Sequence, residues 1–358
     1  MSDVFGKNLT LTLFGESHGE YIGATLDGFK PGFKVDEDNI SAMLAKRRPS
    51  GKGETQRVEK DAFKIISGVY NGYTTGEPIT VIIPNENIRS GDYDNLKTVF
   101  RPSHADYTVY VKSHGFCDGR GGGHTSGRLT APIVALGAIV IDYLKQKGIN
   151  IATHILSLGG VQDTDLLNKD EVFVKNAVEK INSSTIPVID DVQNKMVGIV
   201  EAAAAKGDSI GGKIQTVITG LDAGIGEPWF DSLESRLSSA LFSIGGIKGV
   251  EFGLGFGFDG VTGSKVNDAF FFDEDGKIKT KTNNNGGING GISNGMDVIF
   301  NAVVKPTPSI SIEQDTVDIQ SKQNVKLSVK GRHDPAIIRR ICPVVTAMTA
   351  LTIADFLK

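Results

Sequence analysis

Two histidines, His18 and His104, stand in short polar stretches where an imidazole would be presented rather than packed away. His18 belongs to Gly15-Glu16-Ser17-His18-Gly19, which follows Leu9–Phe14, a Leu/Thr alternation that reads as a half-buried strand. A rigid strand ending in a glycine-bracketed turn commonly presents reactive groups, although a solvated polar turn has the same signature. His104 belongs to the knot Arg101-Pro102-Ser103-His104-Ala105-Asp106. Histidine is the side chain that changes charge near neutral pH, which suits both residues to proton transfer. Asp334 lies between His333 and Pro335, two residues after Arg332, at the entry to an apolar helix. It reads either as a proton carrier or as an N-cap, the commoner role for Asp at a helix start.

Basic residues gather at glycine and proline punctuation. Arg47, Arg48, Lys52 and Arg57 come first, then Arg101, Arg120 and Arg128, then Lys248, Lys305, Arg332, Arg339 and Arg340. Guanidinium groups in such places can grip carboxylate or phosphate through two N–H groups at once. Any one of them reads as solvated charge. Together they predict a basic pocket for a highly anionic small ligand, on a chain of net charge −4. There is no GxxxxGK[ST] loop, dinucleotide fingerprint, GxSxG elbow, HExxH helix or paired-cysteine pattern. His104, His114 and His124 recur at a spacing that matches neither a strand nor a helix face, so no metal site is expected.

The elements that must position these residues are punctuated by glycine, 44 of 358 residues against a usual ~7%. The glycines cluster at 119–127, 245–263 and 286–295, which predicts positive φ angles and close backbone approach, often to an anion. The first cluster runs into Leu129–Lys147, apolar nearly all round and therefore a buried helix, with Pro132 in its first turn. A glycine-rich loop feeding a helix N-terminus is a ready anion seat. Other helices are expected over 36–48, 169–182, 190–206, 230–242 and 337–358. Strands are expected over 63–69, 78–83, 151–158, 211–220, 250–258 and 296–305, with an exposed excursion at 267–282. Residues 19–32 echo 211–224, and the apolar helices end in DYLK and DFLK; the halves are structural duplicates or share apolar helices by chance.

Hydrophobic residues make up 39% of the chain, enough for a packed core. With no long basic run, nucleic-acid binding is not expected. The longest apolar run, 131–141, is half a membrane span, and the N-terminus lacks a signal-peptide pattern. Cys117 and Cys342 read as two buried thiols in a reducing compartment. A soluble cytoplasmic protein, without nucleic-acid or membrane partners, is expected.

The motifs resemble those of chorismate synthases. Three blocks carry the likeness: GESHG at 15–19 with YIGATLDG after it, GHTSGR at 123–128, and GRHDP at 331–335. RRPSG at 47–51, RPSHADYT at 101–108, KGDSIGG at 206–212, GEPWFDSLE at 226–234 and GGISNGM at 290–296 extend it from Val4 to the C-terminus. The resemblance implies a single α+β domain over 1–358: a β-α-β sandwich, helices layered between two antiparallel sheets, with an internal pseudo-duplication. It implies an anti 1,4-elimination of phosphate from 5-enolpyruvylshikimate 3-phosphate to give chorismate, the last common step of aromatic amino acid biosynthesis. Reduced FMN is required, here from an external flavin reductase or other source, and the assembly is a homotetramer.

By the same resemblance, His18 assists departure of phosphate, His104 manages protonation of the reduced flavin, and Asp334 serves removal of the C6 proton. Ser17 and Ser126 complete a hydrogen-bond relay. Arg48, Arg57, Arg101, Arg128 and Arg332 hold substrate. Ser126, Gly127, Arg128, Gly245, Gly246, Lys305, Ser309 and Arg332 hold the cofactor. Two departures stand out: His124 replaces an arginine of many relatives, and Gly245-Gly246 replaces an Asn-Ala pair. The rivals are a non-catalytic flavin- or phosphate-binding protein and a different phosphate lyase or isomerase.

Overall fold

The Leu/Thr alternation at the start of the chain becomes the second strand of a five-stranded sheet. The strands are Val4–Phe5 (β1), Thr10–Gly15 (β2), Tyr21–Asp27 (β3), Lys64–Ser67 (β4) and Ile79–Pro84 (β5), in the order β1-β2-β3-β5-β4. A second sheet comprises Asn150–Leu158 (β6), Val161–Gln162 (β7), Gly212–Thr219 (β8), Ile247–Phe252 (β9) and Val298–Val304 (β10), in the order β7-β6-β8-β10-β9. Every pairing in both sheets is antiparallel. The computed structural model describes residues 3–49, 60–86, 98–329 and 334–357.

The two orders are the same once β2, β3, β5 and β4 are laid on β6, β8, β10 and β9. A helix follows the second member of each set, Glu37–Arg47 (α1) between β3 and β4 or Leu233–Phe242 (α6) between β8 and β9, and each half closes on a long apolar helix, Thr130–Gln146 (α3) or Ile338–Phe356 (α7). The echo between 19–32 and 211–224 therefore falls on corresponding strands, β3 and β8. This is the pseudo-duplication, and it makes the fold an α+β sandwich with α1, α3, α6 and α7 layered between the sheets. The longer remaining helices among the described residues are Asp106–Lys112 (α2), Glu171–Ser183 (α4) and Gln193–Ala205 (α5).

α3 and α7 pack together at the centre, and one glycine permits it. A Cβ on Gly137 would lie 2.4 Å from the Ala347 Cβ, a clash that the close-packed core could not absorb. Gly127–Gln146 is longer than the half-span expected and apolar enough to cross a membrane, but its residues form this core. At the far end of α7, Asp355 accepts the backbone N–H groups of Asn8 (2.6 Å) and Leu9 (2.7 Å), tying the last helix to the entry of β2.

Local expectations were corrected at glycine. The strand predicted over 250–258 stops at Phe252, where Gly253 turns the chain at positive φ and packs so closely that a Cβ on it would stand 2.1 Å from the Asn284 carbonyl oxygen. Gly286 packs on Gly253 in turn, so this end of the 286–295 cluster serves loop-on-loop packing. The charged excursion folds into a hairpin, Phe270–Phe272 against Ile278–Thr280. The helix expected from 230 starts at Leu233, where the Ser232 hydroxyl caps it by accepting the Ser235 N–H. Cys342 is buried, but Cys117 is only partly so.

Candidate active site

A cavity of about 1100 Å³ opens at one end of the helical layer. Five stretches meet there: the turn after β2, the knot before α2, the glycine loop before α3, the approach to β9, and the segment after β10. The first turns of α7 close it, with Asp334 and Arg340. Among the described residues, seven basic and four acidic ones line it, although the chain as a whole is net negative.

The Glu16–Gly19 turn is held from two sides. Ser17 N–H donates to the Gly123 carbonyl (3.1 Å), and the Asn85 side-chain amide donates to the carbonyls of Glu16 (3.0 Å) and Gly19 (2.9 Å). Within it, Ser17 Oγ lies 3.0 Å from His18 Nδ1. Gly121, at positive φ, forms the floor under the His18 ring: a Cβ there would stand 2.4 Å from His18 Cε1. The Ser126 hydroxyl accepts the Arg128 N–H (3.2 Å), capping the short turn that leads into α3.

In the knot, Asp106 binds Arg101 through both oxygens, Nε to Oδ2 at 2.8 Å and Nη2 to Oδ1 at 2.7 Å. His104 Nδ1 lies 2.6 Å from the same Oδ1. Burial alone would raise the Asp106 carboxyl. Hydrogen bonds from Arg101 and His104 overcome that and hold it far below the usual carboxylate range. Arg101 also donates to the Gly121 carbonyl (2.6 Å) and, at 3.4 Å, to Ser309 Oγ. It is therefore a bridge among three walls of the cavity as much as a ligand-binding cation.

Asp61 is the acidic counterpart. Its fully buried carboxylate pairs with Arg128 Nη1 and lies 3.5 Å from Arg47 Nη2. Arg128 Nε reaches Asn85 Oδ1 at 3.2 Å, which fixes its guanidinium in the wall. At the start of α7, Arg340 donates to Asp334 Oδ2 (2.7 Å) and to the Arg47 carbonyl (2.7 Å). Arg339 donates to the carbonyls of Lys46 (3.1 Å) and Arg48 (2.6 Å). The two arginines thus satisfy the last carbonyls of α1, where cations are favoured by the helix dipole. Asp334 is not an N-cap: the cap of α7 is Ile337, and Asp334 is buried beside Arg340.

Lys305 donates to the Ser103 carbonyl at 2.6 Å. Burial, and then the like charge of Lys248, push its ammonium below the ordinary lysine value. Two cations facing one space make a seat for an anion. Next to it, Gly245 carries open space where a side chain would stand, and Ile337, Ile341, Val344 and Met348 of α7 form an apolar wall. The arrangement suits a flat apolar ring bearing a phosphate.

Of the residues singled out from sequence, Ser17, His18, Arg101, His104, Ser126, Gly127, Arg128, Gly245, Gly246, Lys305, Ser309 and Asp334 all border this one cavity. Arg48 does not line it; its neighbour Arg47 does. Arg57 and Arg332 lie outside the described residues, as do Lys52 and His333. His124 Nδ1 lies 2.7 Å from the Gly15 carbonyl and its Nε2 3.1 Å from Asp3 Oδ1, so it buttresses the turn, and it too borders the cavity. Sequence reasoning missed Asp61, Asn85 and the apolar face of α7. The spacing of 337, 341, 344 and 348 is one helical face and was available as a signal; Asp61 carried none.

Comparison with known proteins agrees over the whole chain. A family model described as chorismate synthase matches residues 9–357. A chorismate synthase of Lachnoclostridium phytofermentans is 44% identical over 355 residues, covering 99% of this chain and 94% of that one. One of Methanosarcina mazei is 42% identical over 356 residues, covering 99% and 95%. A crystal structure of a chorismate synthase superposes with a TM-score of 0.75 at 27% identity, covering 98% of this chain and 92% of the other.

Proposed function

The chain belongs to the chorismate synthase family, a family of lyases, and on that premise we propose that it converts 5-enolpyruvylshikimate 3-phosphate to chorismate by anti 1,4-elimination of phosphate. The observation that carries the proposal is the single basic cavity joining the GESHG turn, the RPSHAD knot, the GHTSGR loop and Asp334. At about 1100 Å³ it exceeds the ~300–1,000 Å³ of an ordinary single-ligand pocket, which supports a substrate and a cofactor lying side by side. The donors fit reduced FMN: Lys305, Lys248 and Ser309 for its phosphate, the Gly245-Gly246 backbone and the α7 wall for its ring. When bound, reduced FMN supplies the electron that the elimination borrows and returns.

The protein's own work is to bind, orient and move protons. His18 protonates the departing phosphate, with Ser17 and Ser126 in the relay. His104 holds the proton that sets the charge of the bound cofactor. Asp334, braced by Arg340, assists removal of the C6 proton. Arg101 and Arg128, with Arg57 and Arg332 by the resemblance, are assigned to the substrate's two carboxylates and phosphate; Arg48, which does not line the cavity, drops out of the set. Reduced FMN comes from outside the chain, and the working form is a cytoplasmic homotetramer; the exposed Trp229 and Phe230 support association.

Anaerobic incubation with substrate and reduced FMN tests the reading. Release of phosphate with chorismate is expected, and release of neither refutes it. His18→Ala and His104→Ala should each lower turnover by ~10²-fold or more while flavin still binds. Near-normal rates in either would remove that residue from its role.

A further inference from the structure

We propose that Asp106 is a positioning residue of the reaction: it sets which nitrogen of His104 carries the hydrogen and, through Arg101 and Gly121, it seats the His18 ring. The inference rests on the chorismate synthase reading for its rate consequences, but not for its structural one.

The Asp106 carboxylate accepts three hydrogen bonds from Arg101 and lies against His104 Nδ1. Oδ2 accepts the Arg101 backbone N–H (3.0 Å) and Nε (2.8 Å); Oδ1 accepts Arg101 Nη2 (2.7 Å) and faces His104 Nδ1 (2.6 Å). An ionised carboxylate offers about four lone-pair sites and no hydrogen. Arg101 occupies three of those sites, and a ring nitrogen without hydrogen would be repelled by an ionised oxygen at 2.6 Å, so the hydrogen between Oδ1 and His104 belongs to Nδ1. The neutral ring is then the Nδ1–H tautomer. Nε2 is left as the atom through which His104, a lining residue of the cavity, exchanges protons. The same carboxylate steadies the imidazolium once Nε2 is protonated, the part an orienting carboxylate plays beside a catalytic histidine. Among the described residues, Lys305 also reaches the knot, on the Ser103 carbonyl.

The second leg runs through Arg101. With Nε and Nη2 committed to Asp106, the guanidinium is fixed in plane, and Nη2 also holds the Gly121 carbonyl at 2.6 Å. Gly121 in turn floors the His18 ring. One carboxylate therefore sets the register of both histidines, although they stand on separate loops.

Asp106→Asn keeps the volume but offers one acceptor oxygen and places an amide among donors, so the Nδ1 hydrogen loses its partner. The test is the ring ¹⁵N spectrum of the full-length protein, with His104 assigned from its loss in His104→Gln, at a pH where the ring is neutral. The Nδ1–H tautomer is expected in the parent and the Nε2–H form in Asp106→Asn, with Asp106→Glu returning Nδ1–H at least in part. Turnover in Asp106→Asn should fall by ~10²-fold or more with KM changed by less than about threefold. An Nε2–H ring in the parent overturns the proposal, even if the variant does not fold. So does an Asp106→Asn protein with parental ring shifts and a kcat within about threefold of the parent. The spectrum needs neither substrate nor flavin: a parent that makes no chorismate but shows Nδ1–H refutes the function reading and leaves the tautomer assignment standing.

Discussion

The sheets β1-β2-β3-β5-β4 and β7-β6-β8-β10-β9 share one strand order, yet their outer faces differ. The second is covered by α4, whose Val174, Ala177, Val178 and Ile181 bury Ala152, Val217 and Ile299 in a small core of their own. Under the same cover a polar row, His154, Gln215, Asn301 and Glu251, crosses four strands in register, each side chain bonded to the next. The first sheet turns Thr12 and Phe14 outward to solvent, with Thr25 and Thr80 bonded at 3.0 Å. What stands between β2 and β3 is a five-residue turn bearing Ser17 and His18. Between β6 and β8 it is an insertion containing α4 and α5.

The contrast teaches that the duplicated strands build a frame while chemistry sits where the halves diverge. The exception sharpens the point. The connections into the two central helices correspond, and both reach the cavity: one carries Arg101, His104 and Arg128, the other Lys305, Ser309 and Asp334. The duplication therefore places two loop systems against one space, and each half has filled its loop with different side chains.

The largest expected effect breaks the first half at its site. Asp61→Ala strands two arginines in the wall and should cost about 3–5 kcal/mol, read as a lower urea midpoint; an unchanged midpoint would show that Arg47 and Arg128 do not depend on it. Next, Ile181→Ala opens the small core under α4, at about 2–5 kcal/mol, with kcat unchanged if that half's outer face is frame only. A matching loss of kcat would put α4 in the working machinery.

A pH effect follows. Burial, helped by the nearby Glu171 charge, pushes Asp297 up to about 6. A carboxyl raised in the folded state costs stability above its folded value, and the cost vanishes below the unfolded one. Asp297→Asn should therefore stabilise the protein at pH 8 by about 1–3 kcal/mol and have little effect near pH 4. Equal gains at both would reject the assignment. The smallest effect is on the bare face, where Thr12→Ala should stay within ~0.5 kcal/mol, read as an unchanged urea midpoint; a larger loss would show that this face is covered in the assembled protein.

Much of the fold was legible. Alternation marked β2, capping and a terminal proline bounded α1 between Asp36 and Pro49, and unbroken apolar runs marked α3 and α7. Boundaries failed where a glycine met another backbone, as at Gly253, because the obstructing atom is some thirty residues away in the chain. The histidines, the serine turn and the Lys-Pro segment of the site were visible as motifs, since each is carried by a few consecutive residues. Asp61 was not, because a lone acidic residue in a loop has no local pattern.

The order of residues by itself determined the periodicities, the glycine turns and the set of chemically able side chains, all properties of near neighbours. Tertiary structure alone decided how the cations are shared. Arg339 and Arg340 close the end of α1, Arg101 ties three walls together, Arg128 is set in place by Asp61, and Lys305 and Lys248 face the cavity. In sequence these are equivalent positive charges. Which carboxylate or carbonyl each one meets depends on distances between segments far apart in the chain, and those exist only once the sheets have closed over the helices.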